Sequence, residues 1–195
     1  MPAPSNRPQL LRKSLASQPE PVPSSRLRPL FWWGLAAALT AVDLAVKALV
    51  EARLAGGQVI DFGVLNIRLG YNTGVAFSIG AALPGWVIIA FTAIITTAVA
   101  GYLWHQAAAG ARLQLTGLAF VLGGAAGNLI DRLNGTGVTD YLHTGWFPTF
   151  NLADVFITLG AATIALSALS APREPGDKGN DSQQGSGTSQ PERGL

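Results

Sequence analysis

The chain of 195 residues contains no cysteine, which excludes disulfides, thiolate metal ligands and a cysteine nucleophile. Charge is scarce as well: acidic and basic residues make up 12% of the chain against 49% hydrophobic. That balance is too apolar for an ordinary soluble domain of this size and points to a membrane protein. The formal net charge of +2 is too small to suggest a nucleic-acid partner. Histidine occurs only at His105 and His143, isolated in loops on opposite sides of the expected membrane. Two such residues make neither a metal site nor a triad, so no metal and no cofactor are expected.

What is present is long apolar sequence. Four segments, roughly 31–50, 85–104, 112–131 and 151–170, approach the ~20 residues needed to cross a bilayer as helices. The second carries no charge and places Trp86, Tyr102 and Trp104 near its ends, where interfacial anchors belong. In the first, "AAALTA" resembles a signal-peptide cleavage region, but the long preceding tail and the charges Asp43 and Lys47 suit a retained helix better. Residues 1–29, rich in Pro, Ser and Arg, and residues 172–195, rich in Gly and Ser, cannot build a core and read as disordered tails. Residues 30–171 are the expected membrane domain.

Lys and Arg counts set the orientation. Nine lie in the N-terminal tail, the loop at Arg112 and the C-terminal tail, against Arg53, Arg68 and Arg132 in the other two loops. Both termini are therefore expected in the cytoplasm. In the first outer loop, "LNIRLGYN" alternates Leu65, Ile67, Leu69 and Tyr71 with polar or small residues, the period of strands with one apolar face.

The chemistry is concentrated at the outer ends of the third and fourth segments. "GGAAGNLIDR" (123–132) ends its helix on Asp131, and "FNLADV" (150–155) starts the next helix with Asp154. Both carboxylates are expected at one membrane face and at similar depth. Asp154 also suits a helix N-terminus for electrostatic reasons alone. Asp131 lies at a helix C-terminus, where the dipole opposes an acid, so it asks for a further explanation. Two acids in a poorly hydrated site tend to share one proton. One is then a base for water and the other an acid for a carbonyl oxygen or leaving amine, the needs of peptide hydrolysis.

The blocks "NTGVAFS" (72–78), "GGAAGNLIDR", "VTDYL" (138–142) and "FNLADV", in this order and spacing, resemble those of the bacterial lipoprotein signal peptidases, signal peptidase II. The resemblance covers roughly residues 30–170. It implies a mainly α, polytopic membrane protein: four transmembrane helices with a small β-cradle at the outer membrane surface. It also implies removal of the signal peptide from prolipoproteins, just before a diacylglyceryl-modified cysteine. Asp131 and Asp154 are then the catalytic pair. Asn72, Gly74, Asn128, Arg132, Asp140, Asn151 and Ala153 fall on patterned positions expected to line or brace the site. Asp43 and Lys47, an i,i+4 pair in the first helix, resemble that family's first-helix acid and lysine and are expected to brace it or touch substrate. The expected partners are the lipid-modified prolipoprotein and membrane lipids, with the chain acting as a monomer in the bacterial cytoplasmic membrane.

Three other readings use the same residues. Ser78 with Lys47 as a serine–lysine dyad is one. Buried acids serving as a proton or transport relay are another, though acids clustered at one face suit a surface-opening site better. In the third, the acids are caps on a scaffold. Gly123, Gly124, Ala125 and Ala126 read as close helix packing rather than chemistry.

Overall fold

The structure, a computed structural model, describes residues 27–74 and 83–170. Its elements in chain order are α1 (Leu27–Leu54), β1 (Val59–Asp61), β2 (Asn66–Asn72), α2 (Gly85–Gln106), α3 (Arg112–Leu133), β3 (Val138–His143) and α4 (Leu152–Leu169). All four helices are long and apolar enough to cross a membrane. Residues 1–26, the C-terminal tail and Ser78 within "NTGVAFS" lie outside the described residues, whereas residues 27–29, expected in the N-terminal tail, open α1.

Helix α3 is the hub of the bundle, packed against α1, α2 and α4. Its small residues explain why it can be. A Cβ added to Gly117 would stand 2.7 Å from the Gly160 carbonyl oxygen of α4. One at Gly123 would stand 2.9 Å from the Ala36 carbonyl oxygen of α1, and one at Gly124 would collide with the Ala153 carbonyl. Lipid is as apolar as leucine, so dehydration does not drive helices together in a bilayer; close van der Waals approach does. The glycines permit it. Thr40 reinforces the α1–α3 seam, its Oγ1 donating to the Gly123 carbonyl at 2.9 Å.

At one end of the bundle, Trp32, Ala36, Leu103, Leu115, Leu118, Ala119 and Leu122 form an apolar core. Helix α2, by contrast, buries only Ile88, Thr96 and Leu103 and leaves Phe91, Ile94, Trp86 and Trp104 exposed, as a lipid-facing helix does.

The other end carries an antiparallel sheet in the order β1-β2-β3. The expected strand over 65–72 exists, but its single apolar face does not. Ile67 and Leu69 pack near Val50, Leu54 and Tyr141, whereas Leu65 and Tyr71 stay exposed. The register explains the difference: Ile67 faces Leu142, but Gly70 faces Asp140, so β2 bulges between them. A bulge shifts the strand's phase and re-aims its side chains. Here Asn72 meets Asp140 as a result. Gly137, which leads into β3, has φ of +88°, and a Cβ there would stand 2.8 Å from the Asn72 carbonyl oxygen. Glycine is the residue that fits such a turn.

Candidate active site

Helix α4 begins at the sheet end with a capping box. Asn151 Oδ1 accepts from the Asp154 backbone N–H at 3.1 Å, and Asp154 Oδ2 accepts from the Asn151 N–H at 3.1 Å. Two of the free donors at the start of the helix are thereby satisfied. The same box aims both side chains. Asn151 Nδ2, turned away from its own helix, donates to Asp140 Oδ1 at 2.7 Å and to Asn128 Oδ1 at 3.2 Å. Asp154 Oδ1 accepts from Asn128 Nδ2 at 2.9 Å. Asp140 Oδ2 accepts from Asn72 Nδ2 at 3.1 Å, and Asn72 Oδ1 in turn accepts from the Gly74 N–H at 3.0 Å.

A cavity of about 970 Å³ opens over these groups. Its polar lining includes Asn72, Gly74, Asn128, Arg132, Asp140 and Asp154, and its apolar wall includes Phe147, Phe150, Val155, Ile157 and Leu159. The loop between β3 and α4 reaches this wall because Phe150 pairs back on Leu142, with N···O distances of 2.8 and 3.0 Å. Arg132 donates from a guanidinium NH to the Asn128 carbonyl at 3.2 Å.

Asp131 is placed differently from expectation. It does not line the cavity. Its Oδ2 lies 2.9 Å from Lys47 Nζ and accepts from the Thr139 N–H at 3.1 Å. Lys47 also pairs with Asp43 Oδ2 at 2.8 Å and donates to Asn128 Oδ1 at 2.9 Å. Asp43 Oδ1 accepts from the Ala153 N–H at 2.9 Å. Asp43, Lys47 and Asp131 thus form a buried ion cluster behind the cavity, joining α1 to α3 and to the start of α4. Asp131 turns toward α1 because the one lysine of the span stands there. Its expected place beside Asp154 at the cavity is taken by Asp140 of β3.

Asp140 is 5% exposed, and its pKa is pushed up to about 6. Burial is the main cause and the nearby Asp154 charge adds to it, while the Asn151 and Asn72 donors and Lys47 pull the other way. Burial also pushes the Tyr141 phenol up to about 12, so Tyr141 stays neutral. Its oxygen accepts from the Leu152 N–H at 3.2 Å.

Two contributors escaped the sequence reading. Thr139 ties Asp131 through its N–H and reaches Glu51 Oε1 at 2.6 Å through its hydroxyl. Tyr141 pins the first turn of α4. Both belong to "VTDYL", whose β-branched and aromatic residues are a strand signal. His105 is exposed and His143 meets Thr149 Oγ1 at 3.3 Å, so neither reaches the acids. All three ammonium hydrogens of Lys47 have acceptors, which leaves no free amine for a serine–lysine dyad.

Comparison with known proteins gives a consistent result. A family model described as signal peptidase (SPase) II matches residues 35–170. The lipoprotein signal peptidase of Ectopseudomonas mendocina is 39% identical over 157 residues, spanning 73% of this chain and 90% of that protein. That of Brucella ovis is 42% identical over 146 residues, spanning 71% and 91%. A solved structure described as a bacterial membrane enzyme, at 26% identity, superposes with a TM-score of 0.61 over 73% of this chain and 94% of its own.

Proposed function

Because the chain belongs to the signal peptidase II family, and is therefore a bacterial membrane protease of lipoprotein processing, we propose that it cleaves by an aspartic dyad formed by Asp140 and Asp154. One observation carries this assignment: these two carboxylates line the cavity and bond to the same residue, Asn151, while Asp131 is paired with Lys47 behind it. Asp131 and Asp154, the pair read from the sequence, is replaced on that ground, and Asp131 becomes a brace.

The two acids share one proton: Asp140, pushed up to about 6, holds a proton more readily than an ordinary carboxyl and serves as the acid, while Asp154 serves as the base. A water between them loses a proton to Asp154 as its oxygen bonds to the scissile carbonyl carbon, and Asp140 protonates the carbonyl oxygen. On collapse the C–N bond breaks. The leaving nitrogen takes the proton from Asp154, and a hydroxyl of the diol returns one to Asp140. The free acid, the free amine and the starting dyad result.

The substrate is a prolipoprotein bearing a diacylglyceryl cysteine. Its peptide lies across the polar floor and its acyl chains against Val155, Ile157 and Leu159, facing the bilayer. Arg132, Asn72 and Gly74 contact the peptide, and Asn128, Asn151, Ala153, Asp43 and Lys47 brace the dyad. The site faces the outer side of the cytoplasmic membrane, with both termini inside.

The test incubates purified protein with lipidated and unlipidated versions of one prolipoprotein. Cleavage of the lipidated form only, abolished by Asp140→Asn and by Asp154→Asn, is expected. Asp131→Asn retaining no activity while Asp140→Asn cleaves normally would overturn the dyad assignment and restore the pair read from sequence.

A further inference from the structure

Resting on that reading, we propose that Lys47 is a positioning residue. Through the Asn128 amide it fixes the direction of the hydrogen bond into Asp154, without reaching the cavity itself.

The geometry is one of obligatory polarity. Asn128 Oδ1 is faced by two donors, Lys47 Nζ at 2.9 Å and Asn151 Nδ2 at 3.2 Å. An ammonium has no acceptor, so the Asn128 atom it meets must be the carbonyl oxygen. Its NH2 then has one way to point, toward Asp154 Oδ1 at 2.9 Å. Asn151 is fixed as well, because its Oδ1 is held by the Asp154 N–H. Asp154 therefore meets a donor at each oxygen, the Asn128 amide at Oδ1 and the Asn151 N–H at Oδ2. This arrangement favours the carboxylate that takes a proton from water. Flipping Asn128 would set its carbonyl oxygen against that carboxylate and its NH2 against the lysine.

Lys47 is 2% exposed, and Asp43 and Asp131 occupy its other two hydrogens. The titratable and charged groups facing Asp154 are Arg132 of α3 and Asp140 and Tyr141 of β3, with Asp43 and Lys47 of α1 and Asp131 of α3 behind Asn128; α4 itself adds no other. A lysine that merely neutralised acids would leave the Asn128 contact without consequence. A positioning lysine makes it decisive.

The experiment measures kcat and KM against pH for a diacylglyceryl-cysteine peptide, using full-length protein in lipid–detergent micelles, with thermal unfolding alongside. Lys47→Met and Asn128→Leu should both lower kcat by about 100-fold with KM changed less than about threefold. Both should move the acid limb of the profile to higher pH by about one unit, because a carboxylate that loses a donor is harder to keep ionised. Thr40→Val, which removes a hydrogen bond from the α1–α3 seam but leaves the Asn128 link, should lower the unfolding temperature and leave the limb in place. An unmoved acid limb in folded Lys47→Met overturns the proposal. Should that variant not fold, Lys47→Gln decides in the same way, since its amide can accept as well as donate and so no longer dictates which way Asn128 points. Failure of the wild type to cleave, or full activity in Asp154→Asn, overturns the functional reading instead.

Discussion

The two ends of the helix bundle solve different problems with the same helix. At the far end, α3 presents Leu115, Leu118, Ala119 and Leu122 to apolar neighbours, and the packing resembles any dry core. At the sheet end, the same helix presents Asn128 and Asp131, whose polar atoms are met by hydrogen bonds and ion pairs. An unpaired charge at the centre of a bilayer costs about 2.5–3.5 kcal/mol on insertion scales. A buried ion pair is at best weakly stabilising against an apolar substitute. The sheet end thus gives up stability that the far end keeps. Groups so placed are explained by what they do to a substrate, and the apolar end by how it holds them there.

The largest effects that test this division are on cleavage. Asp140→Asn and Asp154→Asn should each reduce kcat by about 1,000-fold or more, and the double variant should fall hardly further, because the two act as one unit. Additive losses, read from single-turnover rates, would mean that the acids work separately. Asp131→Asn should cost less, about 10- to 100-fold, and should lower the unfolding temperature, because it removes one of the two carboxylate charges that face the buried Lys47.

The next effect concerns pH and stability. Asp140 has a native pKa near 6 against an ordinary value of 3.8. Between these values the native protein keeps a proton that the unfolded chain has already released. The contribution of Asp140 to stability is therefore fully present below about pH 4, falls as pH rises toward 6, and is lost above it. A shift of that size corresponds to about 3 kcal/mol. Asp140→Asn, always neutral, should remove this slope. A variant whose unfolding free energy varies with pH as steeply as the wild type would show that another group is responsible.

The sequence made one end of the molecule far more legible than the other. The uncharged run of α2 and the glycines of α3 announce themselves, because spanning and close packing depend on local composition. Asp154 was legible for a similar reason: it stands three residues after Asn151, and both sit where a helix must start. Asp131 was not. Spacing puts Asn128 and Asp131 on one face of α3, but it does not say whether that face meets α1 or the cavity. Lys47, more than 80 residues earlier, decides it. Asp140 was hidden by the same kind of distance. Its position depends on β3 pairing with β2, on the bulge that sets Gly70 opposite it, and on the turn at Gly137. None of these is a periodic signal. Catalytic geometry here comes from long-range register, which a reading of local pattern reaches last.

The smallest of these effects sharpens the comparison from the other side. Leu115 is wholly buried at the far end, away from any charged group of the site. Leu115→Ala leaves a cavity there. In a water-soluble core the change costs the transfer of the lost methyl and methylene groups plus the loss of packing, often 2–5 kcal/mol in all. In a bundle surrounded by lipid the transfer part largely disappears, because the separated helix meets hydrocarbon rather than water. The remaining packing loss should be about 2 kcal/mol, visible as a lower unfolding temperature. Cleavage per folded molecule should match the wild type at every pH, because nothing in the Lys47–Asn128–Asp154 chain depends on Leu115. A changed pH profile would mean that the two ends are coupled through the length of α3, and that the apolar end sets the geometry of the acids as well as holding the bundle together.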